Sequence, residues 1–157
     1  MIVIKETTDA DFLAELNREV QELHHKMYPE IFRPYAKEEI TRAIKKMLGG
    51  REAKAFVAYD GDEPAGYAVI FISRFSQNAF QHARSAMQVD NFAVLEKFRR
   101  KGVGKKLMDF LLELAKKEKL NRIDLNHWEK NEMAKAFFGK QGFAYYNSRM
   151  YLDISGS

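Results

Sequence analysis

The sequence predicts a mixed β-sheet covered by helices, in the α/β or α+β class, and three observations support this. The periodic segments follow one another in the order β-α-α-β-β-β-α-β-α-β. A strand–helix–strand unit over 85–128 requires two neighbouring parallel strands. The chain has 157 residues, 46% of them hydrophobic, which is enough for a sizeable core. We expect a mostly antiparallel sheet of six to seven strands with four helices, in a single domain over 1–154 with a disordered tail at 155–157.

The first two helices are predicted by capping and periodicity after a short strand at 3–6. Thr8 stands three residues before Asp11, a variant of the capping box that predicts the start of a helix. Residues 37–48 are helical in pattern and end at Gly49. The inward face of the first helix is predicted from spacings of three and four residues, which select Phe12, Leu16, Val20, Leu23 and Met27.

The remaining elements follow from strand alternation, turn residues and one further amphipathic helix. The turn signal Gly61-Asp62-Glu63-Pro64 predicts an antiparallel hairpin between the strands on either side of it. The predicted elements, in order, are strands at 53–60, 65–75 and 85–94, a loop at 95–102, a helix at about 103–118, a strand at 121–128, a helix at 131–141 and a strand at 144–154.

Composition excludes several classes of protein. Cysteine is absent, so the chain has neither a disulfide scaffold nor thiolate chemistry. No apolar run approaches the ~18 residues that span a membrane, and the N-terminus turns polar too early for a signal peptide, so we expect a cytoplasmic protein. The net charge of +4 is weak evidence for nucleic acid when it is spread over the whole chain.

A group of cations precedes the helix predicted at about 103–118. A helix N-terminus is already positive and favours carboxylates, so these cations predict a polyanionic ligand. The glycines fit neither a Walker loop, because Lys106 follows Gly104-Lys105, nor a dinucleotide-binding fingerprint, because Leu107 occupies the third glycine position. The cations are Lys97, Arg99, Arg100, Lys101, Lys105 and Lys106.

Two motifs together identify a family. Arg99, Gly102 and Gly104 match [QR]-x-x-G-x-[GA] between a strand and a helix. A second segment, N-x-x-A-x-x-(apolar)-Y-x-x-x-G-F, is matched through Asn131, Ala134, Phe137, Gly142 and Phe143. With both motifs in order on the expected elements, most of the chain resembles the GCN5-related N-acetyltransferases (the GNAT superfamily).

The resemblance implies an acetyl-CoA-dependent N-acetyltransferase whose central parallel strands splay apart. The loop amides would bind the pyrophosphate of the co-substrate, and the backbone near the end of the preceding strand would bind its pantetheine arm. Asn131 would contact the pantetheine, although an N-cap role suits asparagine equally well. The cofactor-binding residues implied are Phe92, Val94, Arg99, Arg100, Lys101, Gly102, Val103, Gly104, Lys105, Asn131 and Phe138.

The resemblance also implies catalytic roles for carboxylate and tyrosine side chains. Asp90 is the candidate general base, on the same strand face as Val94 if simple alternation holds; its alternative role is an ordinary polar strand residue. Phe138 stands where the family usually has the tyrosine that protonates the leaving thiolate. The candidate replacements are Tyr145 and Tyr146, with His127 as a further possibility; packing is the alternative for each.

The acceptor is expected to be a primary amine, received by an aromatic cleft that includes His24, Tyr28 and Phe32. We expect no metal, because His24 and His25 are adjacent on a helix and point about 100° apart. We expect no nucleic-acid or membrane partner, and we allow for a homodimer. Two alternatives stay open: an acyl-CoA-binding sensor without turnover, suggested by Phe138, and a basic nucleic-acid patch.

Overall fold

The computed structural model describes residues 1–50 and 52–156, so residue 157 of the predicted tail lies outside the described residues. The chain divides into two compact units, Met1–Asn126 and His127–Ser157. The elements of the first unit are β1 (Ile2–Thr7), α1 (Ala10–Met27), α2 (Lys37–Leu48), β2 (Ala53–Asp60), β3 (Glu63–Phe75), β4 (Arg84–Val94), a 3-10 helix (Glu96–Phe98), α3 (Val103–Lys117) and β5 (Arg122–Leu125). The second unit contains α4 (Glu132–Lys140).

The sheet of the first unit has the order β1-β2-β3-β4-β5. The first three pairs of strands are antiparallel. The last pair is parallel, with a register from Ala86↔Arg122 to Val89↔Leu125. The predicted mixed, mostly antiparallel sheet with helices is therefore confirmed, but it has five strands in the described residues instead of six to seven.

The missing strand is the one predicted at 144–154. These residues lie in neither helix nor strand, and Met150, Tyr151 and Leu152 are exposed. Their alternating pattern reports only local strand propensity, whereas a strand also needs a partner for its backbone hydrogen bonds. For the same reason β5 is shorter than the strand predicted at 121–128.

Both faces of the sheet are covered, each by its own hydrophobic cluster. One cluster joins residues of β2, β3 and β4 to Val103, Leu107 and Leu111 of α3. The other joins Tyr67 and Val69 of β3 to α1 and α2. Burial of these apolar side chains is the main favourable contribution to folding, at roughly 25 cal/mol per Å².

The N-terminal cap of α1 differs from the prediction. The cap is Asp9, whose Oδ1 accepts a hydrogen bond from the Phe12 amide at 3.0 Å, and the Thr7 hydroxyl accepts from the Asp9 amide. An aspartate satisfies the first free amides of a helix as well as a threonine does.

The buried face of α1 is also rotated from the predicted stripe. Leu16 is buried, but the other four predicted positions are only half-buried. The face that meets the sheet is formed by Ala10, Leu13, Ala14, Leu16 and Asn17. The centre of this face is formed by small alanines and an asparagine. A stripe drawn through the large apolar residues alone therefore predicted the wrong orientation of the buried face around the helix axis.

Candidate functional site

The loop before α3 has a backbone that presents unpaired donors. Arg100 has φ 63° and Gly102 has φ 81°, both in the left-handed region. Among described residues, no acceptor is bonded to the backbone amides of residues 100–105, and the first helical bond runs from the Lys106 amide to the Gly102 carbonyl at 3.0 Å. The helix has no side-chain cap and no acidic residue in its first turn. Alternating left-handed residues of this kind form an anion-binding concavity.

Neighbouring elements hold this loop in place. Phe98 is buried in the cluster under α3. The Glu96 amide donates to Glu19 Oε2 of α1 at 2.8 Å, and the Leu95 amide donates to the Ala65 carbonyl at 2.9 Å. Arg99 Nε donates to the Val94 carbonyl at 3.4 Å. The loop is thus fixed to α1, β3 and β4.

The cations around the loop are not all available to a ligand. Lys97 pairs with Glu63, and Lys105 pairs with Asp109 one turn later at 2.7 Å. Lys101 Nζ lies 5.4 Å from the centroid of the Phe98 ring. Both ion pairs are exposed and therefore weak, on the order of 0–1 kcal/mol, so an incoming phosphate can compete for these lysines.

The end of β4 carries a β-bulge. Val69 of β3 is opposite Asn91 and Ile70 is opposite Val89, so Asp90 is the extra residue without a partner on β3. A bulge of this kind re-aims the side chains that follow it. Beyond the bulge, Phe92 and Val94 belong to the cluster on the α3 face, together with Val89 before it.

The parallel pairing of β4 with β5 ends before β4 does, because all four residues of β5 (Arg122–Leu125) are already paired with Ala86–Val89. In the described residues, β5 pairs with β4 only as far as Val89, while β4 continues to Val94. The Leu95 amide bonds to β3, so by alternation the backbone N–H and C=O groups of Phe92 and Val94 point away from β3. These are the strand residues predicted to bind pantetheine.

Gly66 allows β3 and β4 to approach closely opposite Val94. A Cβ added at Gly66 would lie 2.6 Å from the Ala93 carbonyl oxygen. No side chain fits at this separation without moving β4. The need for glycine at position 66 was not predicted from the sequence.

Asp90 lies on the other face of the sheet from Phe92 and Val94. The prediction that Asp90 shares a face with Val94 is wrong, because the bulge interrupts the period-two alternation. Asn91 Nδ2 donates to Asp90 Oδ2 at 2.8 Å. Asp90 as a residue is exposed, yet partial burial of its carboxyl raises its pKa above the ordinary value, against a smaller opposing effect of the Asn91 hydrogen bond.

The second unit holds the remaining predicted residues. Asn131 is the N-cap of α4, and its Oδ1 accepts from the Ala134 amide at 3.1 Å, which is the alternative role considered from the sequence. Phe138 is buried against the rings of Phe137 and Phe143, at centroid distances of 5.3 and 5.7 Å.

Two of the candidates for the missing acid lie together in this unit. His127 Nε2 and the Tyr145 hydroxyl are 2.5 Å apart, and their ring centroids are 5.4 Å apart. Tyr145 is 64% exposed and Tyr146 is 71% exposed, so both phenols are accessible.

The predicted acceptor residues lie close together at the end of α1. The rings of His24 and Phe32 have centroids 4.7 Å apart, and those of Tyr28 and Phe32 are 6.5 Å apart. Burial lowers the pKa of His24, which favours its neutral form. His25 Nδ1 contacts the Phe32 carbonyl at 2.7 Å and fixes the turn. Tyr28 is buried and offers less surface to a ligand than predicted.

Three polar residues that the sequence analysis missed form a chain to Asp90. Asn17 Nδ2 donates to the Tyr67 hydroxyl at 2.9 Å, and that hydroxyl donates to Asn91 Oδ1 at 3.2 Å. The available signal was Asn17, a polar residue between the apolar positions of α1. Its partners are distant in sequence and could not be read from spacing.

Metal-binding clusters and membrane-spanning helices are both absent from the described residues. No group of three or more His, Cys, Asp or Glu side chains there is arranged to hold a metal ion. None of the helices in residues 1–50 and 52–156 combines the length and apolar character needed to cross a membrane.

Known proteins with the same architecture include structures from several bacteria. A tetramutant of the BH1408 protein from Bacillus halodurans has a TM-score of 0.90 at 24% identity, over 97% of this chain and 99% of that chain. A possible acetyltransferase from Clostridium difficile 630 has a TM-score of 0.76 at 18% identity, over 98% and 97%. An aminoglycoside N-acetyltransferase in complex with CoA has a TM-score of 0.74 at 14% identity, over 99% and 95%.

These likenesses, at under 25% identity, show the fold. The family is shown by the sequence itself, because residues 17–143 match the family model described as acetyltransferase (GNAT) family. That match includes the bulged strand, the loop with its free amides and α4. The chain therefore belongs to the GNAT acetyltransferase family.

Proposed function

We propose that this protein is an acetyl-CoA-dependent N-acetyltransferase that acetylates a primary amine of a small molecule or peptide by direct attack in a ternary complex. The observation that carries the proposal is the loop 100–105, whose backbone amides have no acceptor among the described residues and stand at a helix N-terminus without acids. An anion of high charge satisfies these donors. The complex of a structural neighbour, the aminoglycoside N-acetyltransferase, with CoA supports the same ligand class.

The co-substrate would lie along the loop and the end of β4. The amides and cations of the loop would hold its phosphates, and the outward backbone groups of Phe92 and Val94 would bond to the pantetheine amides as an added strand would. Asn131 and Phe138 remain proposed contacts from the second unit. The loop residues proposed are Arg99, Arg100, Lys101, Gly102, Val103, Gly104 and Lys105.

Asp90 is proposed as the general base. An alkylammonium has a pKa near ~10.4, so an amine must lose a proton before it attacks the thioester carbonyl. A carboxylate with a raised pKa accepts that proton, directly or through water, better than an ordinary one. The nitrogen then forms its bond to the acetyl carbon as the carbon–sulfur bond breaks.

Tyr145 is proposed to protonate the leaving thiolate in place of the tyrosine that Phe138 replaces. Its hydroxyl is 2.5 Å from His127 Nε2, so the pair can hold and renew a proton. Tyr146, the next residue, is the second candidate.

The acceptor is proposed to meet the aromatic group formed by His24, Tyr28 and Phe32. A neutral His24 beside Phe32 adds no positive charge that would repel a cationic amine. Glu22 on the same helix is exposed and adds negative charge.

The alternative function is an acyl-CoA-binding sensor without efficient turnover. It is favoured by one observation, the burial of Phe138 among two other phenylalanine rings at the position of the usual acid. A thiolate with a pKa near ~8.5 can leave with the help of solvent, so the missing phenol lowers the rate without abolishing the reaction.

The test is release of free thiol from acetyl-CoA in the presence of single amines. The panel should contain polyamines, aminoglycosides, amino acids and peptide N-termini, with a tertiary amine as the unreactive control. We expect release that depends on at least one primary amine, with the acetylated product identified by mass. Tight acetyl-CoA binding without such release from any amine would favour the sensor. Displacement of bound acetyl-CoA by RNA would instead support the nucleic-acid patch.

A further inference from the structure

A chain of three hydrogen bonds crosses the first unit from α1 to Asp90. It begins at Asn17 Nδ2, which donates to the Tyr67 hydroxyl at 2.9 Å. It continues from Tyr67 to Asn91 Oδ1 at 3.2 Å and from Asn91 Nδ2 to Asp90 Oδ2 at 2.8 Å. Each donor has one acceptor, so the direction of the chain is set from the core to the carboxylate.

Asn17 and Tyr67, the inner members of this hydrogen-bond chain, lie in the core, where a polar group without a partner lowers stability. Tyr67 is 0% exposed, and Asn17, at 7%, is the polar residue found fully inside the described core. A buried amide or hydroxyl without a partner destabilises a protein, whereas an apolar pair of the same shape would need no partner. Packing alone therefore does not explain an asparagine facing a tyrosine here.

Asn91 and Asp90, the outer members of the hydrogen-bond chain, lie at the bulge of β4. Asp90 has no partner on β3, and Asn91 is the first residue that pairs again, opposite Val69. Tyr67 lies on β3 two residues before Val69 and fixes the side chain of Asn91 from across the ladder. The position of Asn91, and with it that of its neighbour Asp90, is thus tied to α1 through the fully buried side chain of Tyr67.

We propose that Asn17, Tyr67 and Asn91 are positioning residues that hold the Asp90 carboxylate in its proton-accepting form beside the bulge. The inference rests on the proposed function, because it takes Asp90 as the base. The three residues touch neither substrate nor reacting atoms in this account. Each acts through the next one.

The direction of the effect follows from the donors. Burial raises the pKa of Tyr67, so its hydroxyl stays protonated and keeps its donor proton. That proton binds the carbonyl of the Asn91 amide and leaves the NH₂ group facing Asp90. Without the Tyr67 hydroxyl, the side-chain amide of Asn91 is free to rotate. The Asp90 carboxylate then loses its hydrogen-bond donor for part of the time, and the pKa of Asp90 rises further.

The other charged side chains on the elements around Asp90 interact with partners other than Asp90. Among the described residues, no cation is paired with the Asp90 carboxylate, and Tyr67 is the titratable side chain with an electrostatic interaction to it. The charged groups on the packed elements have their own partners: Arg18 with the Tyr35 ring, Glu19 with the Glu96 amide, His25 with the Phe32 carbonyl, Lys37 with Glu15, and Asp124 with Arg122. Two further titratable groups of α1 are His24, whose pKa is lowered by burial, and the exposed Glu22.

The experiment replaces Tyr67 by phenylalanine in the full chain and follows Asp90 directly. Its carboxyl carbon is titrated by NMR in the free protein, so the readout does not depend on activity. We expect the midpoint of Tyr67→Phe to rise by roughly half a pH unit or more. Tyr59→Phe is the matched control, because it removes the same atom from a half-buried tyrosine on β2, and its Asp90 midpoint should not move.

Asn91→Ala provides a second variant if Tyr67→Phe fails to fold. It removes the last donor, so its midpoint should rise at least as far as in Tyr67→Phe. The double variant should equal Asn91→Ala alone, since residues that act through one another are not additive. An unmoved midpoint in folded Asn91→Ala, or a double variant equal to the sum of the two shifts, would overturn the chain.

The pH dependence of kcat/KM separates this inference from the proposed function. The acidic limb of the profile should move with the NMR midpoint in Tyr67→Phe. Asp90 is not the base if Asp90→Asn leaves the acidic limb unchanged while the NMR midpoint of Asp90 still moves in Tyr67→Phe. The positioning role in catalysis then fails together with the proposed role of Asp90. If Asp90→Asn removes the limb but the midpoint of Tyr67→Phe stays fixed, the positioning role fails alone.

Discussion

At the scale of single residues, Asp90 combines two properties that oppose each other. Its carboxyl is partly buried, which raises its pKa, and it accepts a hydrogen bond from Asn91, which lowers it. A carboxylate whose pKa is raised above its ordinary value accepts a proton more readily than an unperturbed one. Position and protonation state are therefore set by the same few atoms.

Asp90→Asn should lower kcat by roughly 10²- to 10⁴-fold at neutral pH, because general bases contribute about that much. In the parent protein, activity should fall as the pH falls through the raised pKa of Asp90, because a protonated carboxyl cannot accept the proton of the amine. This limb should vanish in the variant. An intact limb in a pH–rate profile of Asp90→Asn would remove Asp90 from the mechanism.

The same substitution has a predicted effect on stability. A carboxyl whose pKa is raised by folding binds its proton more tightly in the native state, so stability falls as the pH rises from the unfolded pKa through the folded one. Above that range, ionised Asp90 costs stability that asparagine does not. Thermal melts should give Asp90→Asn a Tm at pH 7.5 equal to or above that of the parent, with the gain absent at pH 3.

Tyr145→Phe tests the proposed acid. We expect kcat to fall by roughly 10-fold or more, because general acids contribute on at least that scale. Tyr146→Phe is the matched control on the next residue and should change kcat by less than about twofold. Equal effects of the two substitutions would mean that the His127 contact does not select the acid.

At the scale of elements, local sequence patterns predicted the bounds of helices and strands that are set by residues near in sequence. The helix predicted at 37–48 is α2 (Lys37–Leu48), and the strand predicted at 53–60 is β2 (Ala53–Asp60). The strand predicted at 144–154 failed, and the bulge at Asp90 was missed, because both depend on which strand lies alongside. Pairing between distant residues leaves no period in the sequence.

The loop before α3 is the element that carries ligand affinity in this proposal. Gly104→Glu should weaken CoA binding by roughly 10- to 100-fold, because a carboxylate among the free amides repels phosphate and replaces its hydrogen bonds. The helix itself should tolerate an acid in its first turn. Calorimetric titration measures affinity, and circular dichroism checks the fold.

The control for this substitution is Gly139→Glu in α4. It introduces the same side chain at a helical glycine where an added Cβ meets no atom within 4 Å. Its CoA affinity should stay close to that of the parent. Equal losses in the two variants would show that net charge, and not the loop, controls binding.

Gly66→Ala tests the close approach of β3 and β4. The new Cβ would lie 2.6 Å from the Ala93 carbonyl oxygen, so β4 has to move, at a cost of about 1–3 kcal/mol in the free energy of unfolding. Gly139→Ala, with open space around its Cβ, should instead gain up to ~1 kcal/mol from helix propensity. Urea unfolding of the two variants decides. Equal stabilities would contradict the crowding.

At the scale of the whole molecule, six cations lie close together in sequence before and at the start of α3. The net charge is +4, and the loop region holds cations whose carboxylate partners are exposed and exchangeable. The location of this charge was predictable because lysine and arginine are read directly from the sequence. The chain from Asn17 to Asp90 was not, since its members come from three separate elements. A single domain over 1–154 and a homodimer stay predictions, which sedimentation of the full chain can test.

Raising the salt concentration from about 0.05 to about 0.5 M should weaken acetyl-CoA binding by roughly 3- to 10-fold, because exposed charges are screened over a shorter distance. Acetylpantetheine, which lacks the nucleotide phosphates, is the control and should bind with little dependence on salt. A salt effect of the same size on both thioesters would place the charge contribution outside the phosphates.

The fixed loop also has a kinetic consequence. The loop has two left-handed residues, Arg100 and Gly102, and bonds to α1, β3 and β4 hold it, so binding a ligand should require little further ordering. Capture of the co-substrate should then be a single bimolecular phase whose rate rises linearly with concentration. If the proposed function holds, assembly of this loop should not limit the rate of turnover.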